Sequence, residues 1–165
     1  MIFPRDGVKV QNTHNLEKLG SVLVELIGFL NSPKRDQLLL EEAGVSIDRA
    51  LFPLLVALGE QGTLGVAELA DLVGRDYTTI SRQLAKLESL ALVKRYEDEV
   101  DRRKRAAQVT NDGRKIVKAI TVARQQLLSQ VLAGWSESDR RVLAEINRRF
   151  AVALNEYAQK VRQRE

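Results

Sequence analysis

Cysteine is absent from the 165 residues, and histidine occurs once, at His14. The first absence removes disulfides, thiolate nucleophiles, cysteine-ligated zinc and thiol-based oxidant sensing together. The second leaves no histidine cluster for a transition metal, and His14, in a polar stretch ahead of the first apolar periodicity, reads as a solvated loop residue. No stretch approaches the roughly eighteen apolar residues of a membrane span. The N-terminal residues Met1, Ile2, Phe3, Pro4, Arg5 and Asp6 lack the charged-then-apolar order of a signal peptide, so a cytoplasmic protein without membrane contact is expected. Neither a nucleophile–base pair nor a phosphate-binding glycine loop nor a metal-ligand cluster is visible, so neither an enzyme nor a cofactor is expected.

What the chain does have is helical periodicity and positive charge. Its 44% hydrophobic and 29% charged residues are those of an ordinary globular protein of one domain. The formal charge of +4 becomes +8, twice as much, in a pair of chains, which favours a polyanionic partner at modest salt. Charge of this size says little until its location is known.

Most of the length reads as helix. Leu16, Leu19, Leu23, Leu26 and Leu30, with Val22 and Ile27 beside them, recur at spacings of three and four. Ser32 and Pro33 suit the N-cap and first position of a second helix through Leu38, Leu39 and Leu40, which Gly44 ends. Ser46 is the expected cap of a third helix carrying Ala50, Leu51, Leu54, Leu55 and Leu58; Pro53 would lie inside it and bend it, and Gly62 would close it. Thr110 is placed to cap a long helix with Ile116, Val117, Ile120, Leu127, Leu128 and Val131, broken at Gly134. Ser136 and Asp139 then open a last helix whose apolar residues Leu143, Ile146, Phe150, Leu154, Tyr157 and Val161 step by three or four. Such a stripe, on a helix otherwise rich in Arg, Glu and Gln, calls for a helical partner.

Between these helices lies the segment that carries chemistry. With Val66 as the first position of a helix-turn-helix, Ala70 is the small residue where the helices cross, Gly74 supplies the turn, and Ile80 fills the angle between them. Leu69, Val73, Leu84 and Leu87 complete the inner face. Asp76 can cap the second helix, whose outward face then presents Tyr77, Thr78, Ser81, Arg82 and Lys86. Short hydroxyls can approach phosphates or base edges, and arginine can pair bidentately with guanine. A polar face on one helix is, taken alone, more often that of a solvated helix.

Val93 to Glu97 and Arg105 to Val109 read as two strands of a hairpin. Its tip holds Glu97, Asp98, Glu99, Val100 and Asp101, followed by the unbroken basic run Arg102, Arg103, Lys104 and Arg105. Adjacent cations repel one another and gain most in a narrow minor groove, where phosphate potential is most negative. A charge-compensated surface loop is the competing reading.

The span from Leu64 to Gly113 resembles the MarR family of winged-helix regulators. Asp101, Arg102 and Arg103, then Ala107, Gln108, Val109 and Thr110, and finally Gly113, are similar to its wing signature of Asp-x-Arg, an apolar-x-apolar-Thr strand end and a closing glycine. Gly65 departs from the pattern where a capping hydroxyl is usual, which would leave the helix over 66–73 less firmly capped, and Ala107 makes its strand less bulky. The resemblance implies a mostly helical fold with a minor β component. Its parts would be an N-terminal arm (1–14), N-terminal dimerisation helices (15–45), a winged helix-turn-helix (46–112) and C-terminal dimerisation helices (113–165). It implies a homodimer joined through its first and last helices that binds double-stranded DNA at near-palindromic operators, with repression as the expected action. Arg103 would enter the minor groove with Asp101 bracing it, and a small-molecule effector would modulate binding. The alternative is a winged helix that docks a protein partner, since folds are reused for other tasks.

Overall fold

The computed structural model describes residues 13–97 and 105–162. The N-terminal arm through residue 12 lies outside the described residues, as do residues 98–104. The element order is α1 (Thr13–Leu30), α2 (Pro33–Glu42), α3 (Phe52–Gln61), β1 (Leu64–Gly65), α4 (Val66–Val73), α5 (Tyr77–Ser89), β2 (Val93–Glu97), β3 (Arg105–Val109), α6 (Asn111–Val131) and α7 (Glu137–Arg162). Because α1 opens at Thr13, His14 belongs to its first turn and not to a loop before it. The described residues through Ala123 form one compact unit and those from Arg124 onward a second.

Each helix begins where local chemistry permits. Ser32 occupies the N-cap of α2 with extended backbone, although its hydroxyl makes no capping bond, and its carbonyl accepts from Arg35 N and Asp36 N instead. The start expected for α3 is corrected. The Asp48 side chain accepts from Ala50 N at 2.7 Å while Leu51 N donates to Asp48 O at 2.8 Å, so residues 48–51 form a turn. The helix therefore starts at Phe52, neither capped by Ser46 nor bent by Pro53, which sits in the first turn where no backbone donor is required of it.

The main core gathers Leu54, Leu55 and Leu58 of α3 against Leu69 of α4, Ile80, Leu84 and Leu87 of α5, and Ala107 of β3, all fully buried. A smaller cluster joins Leu40 of α2 to Phe52 and Val56 of α3 and Ile120 of α6, so α2 packs on those two helices. Gly59 lets α3 and α6 cross closely, since a Cβ there would lie 2.7 Å from Val117 Cγ1.

The sheet is antiparallel with order β1-β3-β2. Val93 pairs with Val109 and Glu97 with Arg105, the strand limits expected from the sequence. The two-residue β1, pairing Leu64 with Ala107, has no alternating pattern to betray it and was not anticipated. At the root of the hairpin, Thr110 N donates to Leu92 O at 3.0 Å, and the Thr110 hydroxyl donates to Ala91 O at 2.8 Å while accepting from Gly113 N at 3.0 Å. The hydroxyl thus caps α6, as expected. Gly113 is required by contact, because a Cβ there would fall 2.1 Å from Leu92 O. Ala91 closes α5 in the left-handed region, at φ 57°.

In the second unit, Asp139 N donates to Ser136 Oγ at 3.1 Å and the Ser136 hydroxyl donates to the Asp139 carboxylate at 2.7 Å. The cap of α7 is thus half of a capping box, since Asp139 turns to the hydroxyl and not to a backbone donor.

Two substitutions test the hairpin root. Gly113→Ala should lower the free energy of unfolding by about 3 kcal/mol, because the clash is with backbone that cannot rotate away. Ala91→Gly should raise it by roughly 0.5–1 kcal/mol by relieving the left-handed alanine. Urea unfolding followed by circular dichroism measures both, and an unchanged midpoint for Gly113→Ala would remove the packing argument.

Candidate nucleic-acid interface

The interface is built from a short helix, a tight turn and a longer helix. In α4, Leu69 and Ala70 are buried against the core, and Gly74 ends the helix at φ 66°, ψ 38°, the left-handed conformation a glycine adopts without strain. Gly65 has no side chain to cap this helix, but Glu68 Oε2 accepts from Gly65 N at 2.8 Å and satisfies the other half of the box. Asp76 caps α5 as expected: its Oδ1 accepts from Thr79 N at 2.8 Å and its Oδ2 from Thr79 Oγ1 at 2.6 Å. The bonds from the Thr79 side chain and backbone hold the Asp76 carboxyl below the usual carboxylate range.

Along α5 the polar side chains divide into two sets. Thr79 pairs with Asp76, Gln83 with Arg75, and Ser89 with the Lys86 carbonyl. Glu88 takes Arg95 N at 3.3 Å and lies 3.8 Å from the Arg95 guanidinium, which joins the end of α5 to β2. The remaining five, Tyr77, Thr78, Ser81, Arg82 and Lys86, are those picked out in the sequence. Among the described residues none of their side chains makes a hydrogen bond or ion pair. Thr78, Arg82, Lys86 and Tyr77 are exposed and Ser81 is half-buried, so one helix face carries hydroxyl, phenol, guanidinium and ammonium groups with their hydrogen-bonding capacity unused. At about 1.5 Å per residue, Tyr77, Thr78, Ser81 and Arg82 occupy the first turn and a half of α5, and Lys86 lies a turn beyond.

The hairpin that follows is aimed from the same core. Val93, Ala107 and Val109 face inward, while Lys94, Tyr96 and Gln108 form the outer face, with the Tyr96 hydroxyl 3.3 Å from Gln108 Oε1 and the Lys94 ammonium 5.2 Å from the Tyr96 ring centre. The candidate wing residues Asp101, Arg102, Arg103 and Lys104 lie outside the described residues; Arg105 opens β3. The structure adds positions that residue patterns did not single out. Arg75, Gln83, Glu88 and Arg95 hold the interface together, and only three-dimensional proximity shows that they meet. Among the described residues there is no group of three acidic or histidine side chains able to hold a metal, and no helix is long and apolar enough to cross a membrane.

Comparison with known proteins agrees with this geometry. The family described as HVO_A0114 matches residues 50–116, the stretch from the turn before α3 into α6. The uncharacterized HTH-type transcriptional regulator YxaD of Bacillus subtilis (strain 168) is 33% identical over 109 residues, covering 66% of this chain and 76% of YxaD. Fold, free polar face and relative together define a winged helix-turn-helix transcriptional regulator. The crystal structure of a mutant MepR from a multidrug resistant S. aureus clinical isolate has 26% identity and a TM-score of 0.61 over 81% of this chain and 96% of that one. The MarR protein of Peptoclostridium difficile DA00132 shares the fold at 16% identity, with a TM-score of 0.63 over 97% of this chain and 99% of that one. The chain belongs to the MarR family.

The cap of α5 has a pH signature. A carboxyl whose folded pKa lies below its unfolded value contributes stability in full above the unfolded value and loses it as pH falls through the folded one. Amide exchange of residues 77–80 should therefore accelerate, relative to the core, as pH drops below about 4. In Asp76→Asn, which keeps an acceptor but does not titrate, that acceleration should vanish. Equal acceleration in parent and variant would show that Asp76 is not its source.

Proposed function

We propose that this protein is a homodimeric repressor that inserts α5 of each subunit into the major groove of a near-palindromic operator. The observation that carries the reading is the division of polar residues on α5. Thr79, Gln83, Glu88 and Ser89 each have a partner within the protein, whereas the side chains of Tyr77, Thr78, Ser81, Arg82 and Lys86 have none among the described residues. Arg82, in the second turn of the helix, suits a bidentate contact to guanine, and Lys86 suits a backbone phosphate. The basic run Arg102, Arg103, Lys104 and Arg105 reaches the flanking minor groove, with Arg103 as the inserted residue and Asp101 bracing it, as the family resemblance implies.

Two exposed apolar stripes support the dimer. On α1, Leu16, Leu19, Leu26 and Leu30 are 44–68% exposed, and on α7 Ile146, Leu154 and Tyr157 are 52–63% exposed. Stripes of this extent are what subunit pairing hides. Residues 15–45 and 113–165 accordingly serve as dimerisation helices flanking the DNA-binding region 46–112, although α2 also packs on α3 and Ile116 and Val117 of α6 pack against the helix-turn-helix core. Pairing sets the two reading helices about 34 Å apart, one turn of DNA. A small-molecule effector would act by binding one spacing of those helices better than another, because equal affinity for both shifts nothing. Compartment follows from the task, since the protein must share the cytoplasm with its DNA.

Fluorescence anisotropy with the DNA flanking the protein's own gene tests the assignment. Arg82→Ala should relax base preference at one operator position by about 1–3 kcal/mol. Arg103→Ala should weaken binding to all sequences and flatten the dependence of affinity on salt by a slope of about one. If both variants bind as the parent does, the contact assignment is wrong. A winged helix that served only a protein partner would retain no duplex DNA even at low salt.

A further inference from the structure

We infer that Arg75 is a positioning residue for DNA recognition: its guanidinium is the strut that fixes the rotation of α5 about its own axis. The inference rests on α5 being the reading helix, and goes beyond it by naming a residue that touches no DNA in that reading yet governs how well bases are told apart.

Arg75 sits in the turn between α4 and α5, and its own N–H donates to Ala70 O at 3.0 Å. Its half-buried side chain runs back under the helix. There Nη1 donates to Ala50 O at 2.8 Å, in the turn that precedes α3, and to Gln83 Oε1 at 3.0 Å, in the second turn of α5. One cationic nitrogen, which has two hydrogens to give, therefore joins a residue 25 positions away to one 8 positions away.

This joint supplies what the apolar contacts of α5 do not. Ile80, Leu84 and Leu87 are themselves completely buried, but aliphatic packing is non-directional and tolerates small rotations. A charge-assisted hydrogen bond has a preferred direction and is among the stronger polar contacts. Gln83 adjoins Arg82 in the chain, so a turn of the helix that releases Gln83 also swings the Arg82 guanidinium away from its target. Bidentate pairing with a base edge is sensitive to such a swing, whereas attraction to phosphate is not. Losing the strut should therefore cost discrimination before it costs overall affinity.

The experiment compares the parent with Arg75→Met, which keeps an apolar stem and removes the donors, and with Arg75→Lys, which restores a cation able to reach a carbonyl. Two readouts are taken: the ratio of affinity for the operator to affinity for unrelated duplex DNA, and amide exchange of residues 77–83 in the DNA-free protein. Arg75→Met should lower the ratio about tenfold at near-constant affinity for unrelated DNA. It should also speed exchange in 77–83 while β2 and β3 exchange as in the parent, and Arg75→Lys should recover part of both. Unchanged exchange and an unchanged ratio in Arg75→Met would overturn the inference. So would equal losses at α5, β2 and β3 without recovery by lysine, because they would mark a general contribution to folding. A parent that prefers no DNA sequence would instead defeat the reading of α5, and the exchange measurement would still decide the role of Arg75.

Discussion

The carbonyl of Leu92 sits where three segments must meet. It accepts from Thr110 N, it lies beside the Thr110 hydroxyl that caps α6, and it presses on the Cα of Gly113 so closely that no side chain fits there. The end of α5, the root of the hairpin and the start of the long helix are thereby joined through one peptide group. The direction in which β2 and β3 leave the core is set at this joint. The Glu88–Arg95 contact repeats the constraint one turn earlier along α5. A reading helix and a wing act together on DNA only if their relative placement survives binding, and hydrogen bonds to a buried backbone group hold that placement more sharply than surface ion pairs do.

Much of this was legible in the residues because the signals were local. The limits of β2 and β3, the left-handed turn at Gly74, the Asp76 cap and the Thr110 cap each depend on one or two side chains acting on nearby backbone. The start of α3 was misread for a related reason. Ser46 is a good cap by type, but Asp48 competes for the same stretch of backbone and wins by closing its own turn. Pro53 then changes meaning from a kink to a helix start. Strand β1 escaped notice because two residues cannot show a period, and its pairing is decided by β3.

The site was legible to a different degree. The five outward residues of α5 follow from helical geometry once Ile80, Leu84 and Leu87 are turned inward. Arg75, Gln83, Glu88 and Arg95 do not follow, since a charged residue in a turn and a glutamine on a helix look alike whether solvated or bonded. Their pairing depends on contacts across the fold, and it is this pairing that leaves the other five side chains as the uncommitted face. The exposed stripes of α1 and α7 belong to the same logic at a larger scale: each is an apolar surface that the proposed dimer would cover.

Hydroxyl-radical footprinting of the parent protein on the DNA flanking its gene bears most directly on the account, because it reports subunit number, spacing and groove together. Two equivalent protected tracts centred about one helical turn apart, each with flanking minor-groove protection, are predicted. A single tract, or no protection at a protein concentration that saturates low-salt binding, would contradict a symmetric dimer reading DNA through α5 and its wing.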